Sequence, residues 1–418
     1  MEKDTLVMSE SVTHQAIEAI ARNSYGRLIA YIAARSGDVA GAEDALSEAF
    51  VAALKKWQVD GIPEKPEAWL LHVARNRIID AVRHHQVGQN SQKFLQQIAE
   101  EAQTTVVTHD HFPDERLKLL FVCAHPAIEV AARTPLMLQT VLGIDAERIA
   151  SAFLVSPAAM GQRLVRVKTK IRDAAIPFRV PDPPEWDERV SFVLDAIYSA
   201  YTTGWDSLTE ISSTHCALAG DAIAIGRTLV QLMPAEPEAL GLLALMLHCE
   251  ARRAARYTRD GAFVPLDQQD TALWSRSLMD DAEGYLRSAA VFKRMGRYQL
   301  EAAIQSIHSS RVVSRSIDWA EILLLYEGLV RIAPGIGSLV GRAVALAQAG
   351  QPVAGLTALE QLPASRIENY QPYWAVRGHL LQLLNEKDEA QKAFTRAASL
   401  TDDPALREHL FKRATVRF

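Results

Sequence analysis

The chain is poor in cysteine. Its 418 residues hold three, Cys123, Cys216 and Cys249, an odd and scattered set. That excludes a disulfide framework and suits a reducing compartment. With 21 Gly and 18 Pro the composition is neither fibrous nor low-complexity. Long apolar runs are also missing. The longest, residues 240–247, gives way to His248 and Glu250, so no membrane span is expected. The start, Met1-Glu2-Lys3-Asp4, lacks the basic-then-apolar pattern of a secretory signal, and a cytoplasmic location is the expectation. Nucleotide-cradling loops, His-Glu-x-x-His and Gly-x-Ser-x-Gly are absent, and Gly335-x-Gly337-x-x-x-Gly341 has neither the preceding strand nor the spacing of a dinucleotide loop. His109, His111, Cys123 and His125 are of metal-ligand types, but their spacing matches no familiar zinc site and Cys123 lies in an apolar run. No catalytic residue, cofactor or metal is therefore expected.

Charge is present but segregated. Residues 133–180 carry eight Lys/Arg against three Asp/Glu, whereas residues 1–90 and 181–418 are each mildly acidic. One compact basic segment in a chain of net charge −5 suggests a local polyanion contact rather than diffuse stickiness. Apolar residues recur three and four apart throughout, and strand-like alternation is nearly absent, which predicts an all-α protein. Helix breaks are expected at 60–66, 86–113, 177–184, 233–237 and 333–337. They divide the chain into a helical domain over 10–86, a polar linker over 87–113, a small helical domain over 114–178 and a long helical region over 185–418. The linker, rich in Gln and Thr, is too poor in apolar residues to build a core.

The basic segment has the form of a helix-turn-helix. Asp145 is a good N-cap for a short helix with Ile149, Ala150 and Phe153 on one face. After a turn at Leu154, Ser156-Pro157 offers a capping hydroxyl followed by proline at the first helical position. Met160, Leu164, Val167 and Ile171 then form an apolar stripe, and Ala159, Arg163, Arg166 and Lys170 another. Arg and Lys neutralise phosphates and release counterions, while Ala158, Ala159 and Gln162 near the N-terminal end can approach base edges. Such a helix suits the major groove.

In the first domain, Ala42-Glu43-Asp44-Ala45-Leu46-Ser47-Glu48-Ala49-Phe50 places Asp44 and Glu48 one turn apart. After the loop from Asp60 to Pro66 comes Trp69-Leu70-Leu71-His72-Val73-Ala74-Arg75-Asn76-Arg77-Ile78-Ile79-Asp80, followed by Arg83. These two motifs, in order and ahead of a basic helix-turn-helix, resemble the bacterial extracytoplasmic-function (group IV) sigma factors of RNA polymerase. Arg116–Ala127, Ile176–Asp182, Thr202-Thr203-Gly204, Tyr298–Ile304 and Asp318-Trp319-Ala320 resemble the subfamily with a large C-terminal extension. The resemblance implies core RNA polymerase as partner, through the β′ clamp helices and the β subunit, and promoter DNA as ligand. It assigns Asp44, Ser47, Glu48 and Phe50 to polymerase binding, and Asp60, Arg75, Asn76, Arg77 and Arg83 to opening the −10 region. Ser156, Ala158, Ala159, Gln162, Arg163, Arg166 and Lys170 would read the −35 element, and the linker would run through polymerase.

Within the C-terminal region Trp374, Gly378, Leu381, Ala390, Phe394 and Ala397 fit tetratricopeptide positions. Ala354 and Ala358 precede Ala390 and Phe394 by 36 residues and suggest a degenerate earlier repeat. Residues 221–233 and 238–250 read as another helix pair. Stacked pairs leave a concave surface suited to a peptide or protein, and this region is expected to tune the sigma module or bind a partner. Two other readings remain: a helix-turn-helix regulator that binds duplex DNA alone, with a repeat scaffold attached, and a scaffold retaining decayed sigma domains.

Overall fold

The computed structural model describes residues 2–84, 114–153, 155–205, 212–314 and 316–415, without the side chains of 2–12, 22, 81–84, 151–152, 204 and 212–217. The linker with His109 and His111, Leu154 at the turn, the Arg83 side chain and Cys216 lie outside the described residues. The protein is all-α: among the described residues the sole β feature is one isolated bridge, Tyr257 to Phe263. No described helix is long and apolar enough to cross a membrane.

The chain forms two compact units, the first comprising residues up to 206 together with 213–225, the second the remainder. In the first unit, α1 (Glu2–Ser36), α2 (Val39–Asp60) and α3 (Pro66–His84) pack together. Leu28, Ile29, Leu46, Ala53, Leu70 and Ala74 are fully buried between them. Trp57 and Trp69 meet edge to face at 5.3 Å, so both tryptophans belong to the core side of this domain. Helix α2 stops at Gly61, whose φ of +82° needs a glycine and whose N–H returns to Trp57 O. Pro66 opens α3 at a position where its missing N–H costs nothing.

A second module follows: α4 (Arg116–Cys123), α5 (Val130–Leu142), α6 (Ala146–Ala152) and α7 (Pro157–Asp173). Its caps are those the sequence spells out. The Asp145 carboxylate accepts from Arg148 N at 2.8 Å, and Ser156 Oγ accepts from Ala159 N at 3.2 Å. The modules are packed into one body. Helix α1 crosses α5 so closely that a Cβ on Gly26 would meet the Val141 carbonyl, and α7 lies against α2. Helix α8 (Trp186–Trp205) covers the other side of α4 and α5. Arg189 donates to Phe121 O at 2.8 Å, and Thr134 donates to Ala196 O at 2.9 Å. The compact units part within α9 (Ser212–Leu232).

The second unit is a run of helices packed on their neighbours: α10 (Pro237–Ala251), α11 (Arg276–Ala290), α12 (Arg297–Ser314), α13 (Trp319–Ile332), α14 (Ile336–Gln348), α15 (Pro352–Glu360), the single turn α16 (Ala364–Ile367), α17 (Gln371–Leu383), α18 (Lys387–Ser399) and α19 (Pro404–Thr415). Gly378 lies against the Phe394 ring, and Leu381, Ala390, Phe394 and Ala397 share one buried cluster with Trp374 packed on it. The earlier repeat is shifted from the expected register. Ala354 is exposed, and the residues at the crossing are Gly355, against the Ala343 carbonyl, and buried Leu359. They precede Ala390 and Phe394 by 35 residues rather than 36, because only glycine lets the two backbones approach this closely. The expected pairing of 221–233 with 238–250 is also altered: α10 packs broadly on α11 and α12, and α9 meets it at Gly226 beside Met246. Periodicity gave no sign of the long connection from Arg252 to Ser275, which holds only short 3-10 turns, Arg253–Ala255, Leu266–Gln268 and Thr271–Leu273.

Candidate nucleic-acid interface

Helix α2 divides its residues by face. Ala42, Ala45, Leu46, Ala49 and Ala53 point inward. Asp44, Ser47 and Glu48 are exposed together, and Phe50 is half-buried at the edge of that patch. Among the described residues this acidic face is exposed. Glu48 makes a 3.0 Å ion pair with Arg77 of α3, with both side chains more than half exposed. Exposed pairs of this kind contribute about 0–1 kcal/mol, so a partner can exchange it readily. On α3, Asn76 is exposed with Nδ2 3.1 Å from His72 Nε2, Arg77 is exposed, and Arg75 is half-buried. Asp60 is exposed at the end of α2, ahead of the loop.

Helix α7 carries the basic face. Met160, Leu164, Val167 and Ile171 are buried, while Ser156, Ala158, Ala159, Gln162, Arg166 and Lys170 are exposed. Arg163 is half-buried, set back from the face that Arg166 and Lys170 present. Arg166 Nε reaches back to Gln162 O at 3.4 Å, keeping its guanidinium close to the helix. Ser156 is committed to the cap, so its hydroxyl positions the helix N-terminus.

The sequence reading missed Lys168. It stands within the apolar stripe, one turn beyond Leu164, and its side chain is 8% exposed. Lys168 donates to Glu43 of α2, itself 15% exposed, so a buried ion pair joins the two modules. Burial pushes the Glu43 carboxyl up and the lysine pulls it back; Glu43 Oε1 has no hydrogen-bond partner. Tyr25 lies beside this pair, its phenol held protonated by burial and by the Glu43 and Asp44 charges. Cys123 completes the cluster. It is fully buried, 3.4 Å from Thr140 Oγ1, and its thiol is pushed up to about 12 by burial, which makes it a packing thiol. The signal was available, since a lysine on an apolar stripe is almost always paired when buried.

Comparison with known proteins places this geometry in a class. The sigma-70 region 2 family matches residues 21–87, the stretch that contains the C-terminal part of α1 and all of α2 and α3. A family of unknown function (DUF6596) matches residues 189–290. The chain is a sigma-70 family factor, and such proteins serve transcription initiation with RNA polymerase. It belongs to the same family as an uncharacterized protein of Rhizobium meliloti (strain 1021), to which it is 38% identical over 363 residues, 86% of each chain. No solved structure matches.

Proposed function

We propose that the protein is a non-enzymatic, cytoplasmic promoter-specificity subunit of the group IV kind, and that its C-terminal helical region regulates the sigma module or binds a partner protein. The observation that carries this is the coincidence of the sigma-70 region 2 match with the domain whose α2 presents Asp44, Ser47 and Glu48 outward. In this reading that acidic patch, with Phe50, docks on the β′ clamp helices. The loop after Asp60 holds an extruded −10 base, and Arg75, Asn76, Arg77 and Arg83 hold the strand. Helix α7 reads the −35 element, with Ala158, Ala159 and Gln162 near bases, and Arg163, Arg166 and Lys170 on phosphates or base edges. Promoter opening then needs no bond chemistry, only binding that favours the open strand.

The two DNA elements lie about 25 base pairs apart, roughly 85 Å at 3.4 Å per base pair. Helices α7 and α3 are both packed on α2, and neighbouring helix axes are about 8–10 Å apart. For one chain to read both elements, α7 leaves α2 and the Lys168–Glu43 pair opens. The described arrangement is thus the closed form of the factor.

The test is runoff transcription from a genomic fragment library with core polymerase. Defined start sites that require the protein, and that Glu48→Lys abolishes, are expected. Tight operator binding without polymerase, unaffected by Glu48→Lys, would instead establish a stand-alone helix-turn-helix regulator.

A further inference from the structure

Most connections in the second unit are short turns, but α10 and α11 are joined by the 24 residues from Arg252 to Ser275. Most connections inside a compact fold are far shorter, about 4–6 residues, and this one is broken only by the 3-10 turns Arg253–Ala255, Leu266–Gln268 and Thr271–Leu273. This one is ordered by its own contacts. Tyr257 and Phe263 form a bridge, Thr258 N donates to Ala262 O at 2.9 Å, and Gly261 takes the turn at φ +84°.

Its path is informative. Tyr257 Oη donates to Asp403 Oδ2 at 2.7 Å, at the start of α19, and the Phe263 ring meets His409 of α19 edge to face at 5.5 Å. Further along, Arg311 of α12 donates to Leu266 O at 2.8 Å and Gln269 O at 2.9 Å, with its guanidinium over the Trp274 ring. The Asp267 carboxylate acts on Arg311, on His379 of α17, and on His409 and Arg413 of α19. The helices so engaged are α12, α17 and α19; from α12 the chain passes through α13, α14 and α15, each packed on the next, before it reaches α17. The segment therefore touches helices far apart in sequence.

The face beneath carries the guanidinium groups of Arg252, Arg311 and Arg413, with His379 and His409 beside them, both held below the ordinary histidine range by burial and by Arg413, although residues 181–418 as a whole are net acidic. Such a surface attracts carboxylates. The segment also leaves the face incompletely satisfied. Arg252 Nη1 and His308 Nδ1 are buried without a hydrogen-bond partner. Arg252 is held in place meanwhile by Gln305 Oε1 at 2.5 Å. Each orphaned polar group of this kind costs about 1–3 kcal/mol, so an occupant that satisfied them would hold the face more tightly.

We propose that the surface formed by α12, α17 and α19 is the binding site for an acidic peptide of a partner protein, and that residues 257–270 are its built-in occupant, which such a peptide displaces. The segment itself defines the ligand: an aromatic residue at the α19 end, and a carboxylate four residues further on, where Asp267 follows Phe263. The proposal rests on the partner-binding reading of the C-terminal region, but its test involves neither polymerase nor DNA, so the two fail separately.

The probe is a fluorescein-labelled synthetic peptide of residues 256–270, titrated into the full chain and followed by anisotropy. Asp267→Asn in the protein, which loosens the resident segment at unchanged shape, is expected to bind the peptide at least ten-fold more tightly than wild type. Arg311→Gln with Arg413→Gln on that background removes the gain, and a peptide carrying Asp267→Asn binds no better than a scrambled one. A second readout needs no variant: excess peptide speeds tryptic cleavage of the wild-type chain at exposed Arg259. No binding to the loosened chain and no change in cleavage would overturn the proposal. So would binding indifferent to the two arginines, or equal competition by an oligonucleotide, which would mark a polyanion surface.

Discussion

A lysine inside an apolar stripe has two outcomes: it bends out to water or it finds a carboxylate in the core. Lys168 takes the second, and its partner Glu43 is buried with it. Removing one member of such a pair leaves an uncompensated buried charge at a cost of about 3–5 kcal/mol, whereas replacing both by apolar residues of similar volume is often neutral or better. Lys168→Met is therefore expected to weaken the first unit by that amount, and Glu43→Leu with Lys168→Met to restore it, measured by urea unfolding. The second unit holds two buried histidines with a different consequence. His248, beside Ser309, Glu283 and Arg252, and His308, beside Trp319, Arg252 and Arg311, are both lowered to about 4 by burial and by nearby guanidinium charge. Between about pH 6.5 and 4 the unfolded chain takes up protons that the folded chain refuses. Stability is thus intact above pH 6.5 and falls as pH drops through that window, by up to about 3 kcal/mol per histidine. Thermal unfolding from pH 7 to 4.5 should show the loss, and His308→Gln should flatten it.

At the scale of elements, α7 shows what a sequence reveals and what it withholds. Its cap, its proline and its apolar stripe are local, and each was legible in order: Asp145, Ser156-Pro157, then Met160 through Ile171. The exposed acidic face of α2 was legible for the same reason, since helical spacing alone separates Asp44 and Glu48 from Leu46 and Ala49. What was not legible is non-local. Nothing in the spacing of α7 says that α2 lies behind it, and nothing in residues 252–275 says that they cross to α19. The repeat register slipped by one residue because alanine and glycine look alike to a pattern of small residues, while only Gly355 can meet the Ala343 carbonyl. The face of α7 carries its own prediction. Arg166 is exposed and Arg163 half-buried, so their losses should differ. Arg166→Ala is expected to weaken −35 duplex binding evenly across sequences and lower the salt slope by about 1, as a phosphate contact does. Arg163→Ala should cost about 1–3 kcal/mol and relax preference at one position if it reads a base. Fluorescence titrations at several salt concentrations separate the two outcomes.

For the first unit as a body, the proposed closed form makes a measurable statement. Dyes placed by Val59→Cys and Ala174→Cys, both exposed and on opposite modules, should report a short distance in the free protein and a much longer one once core polymerase and promoter are bound. Lys168→Glu, which sets two carboxylates against each other at the pair, should lengthen the distance without polymerase. Energy transfer that stays unchanged on forming the transcribing complex would remove the opening step.

The crossing at Gly26 gives that closed form an unusual kind of memory. Where α1 meets α5, one main chain rests on another with no side chain between them. Mutational drift along either helix can re-tint the surroundings, yet it leaves this seam untouched so long as position 26 keeps its lone hydrogen. One added methyl acts as a wedge, and the clasp between the two modules then loses its tightest point of contact.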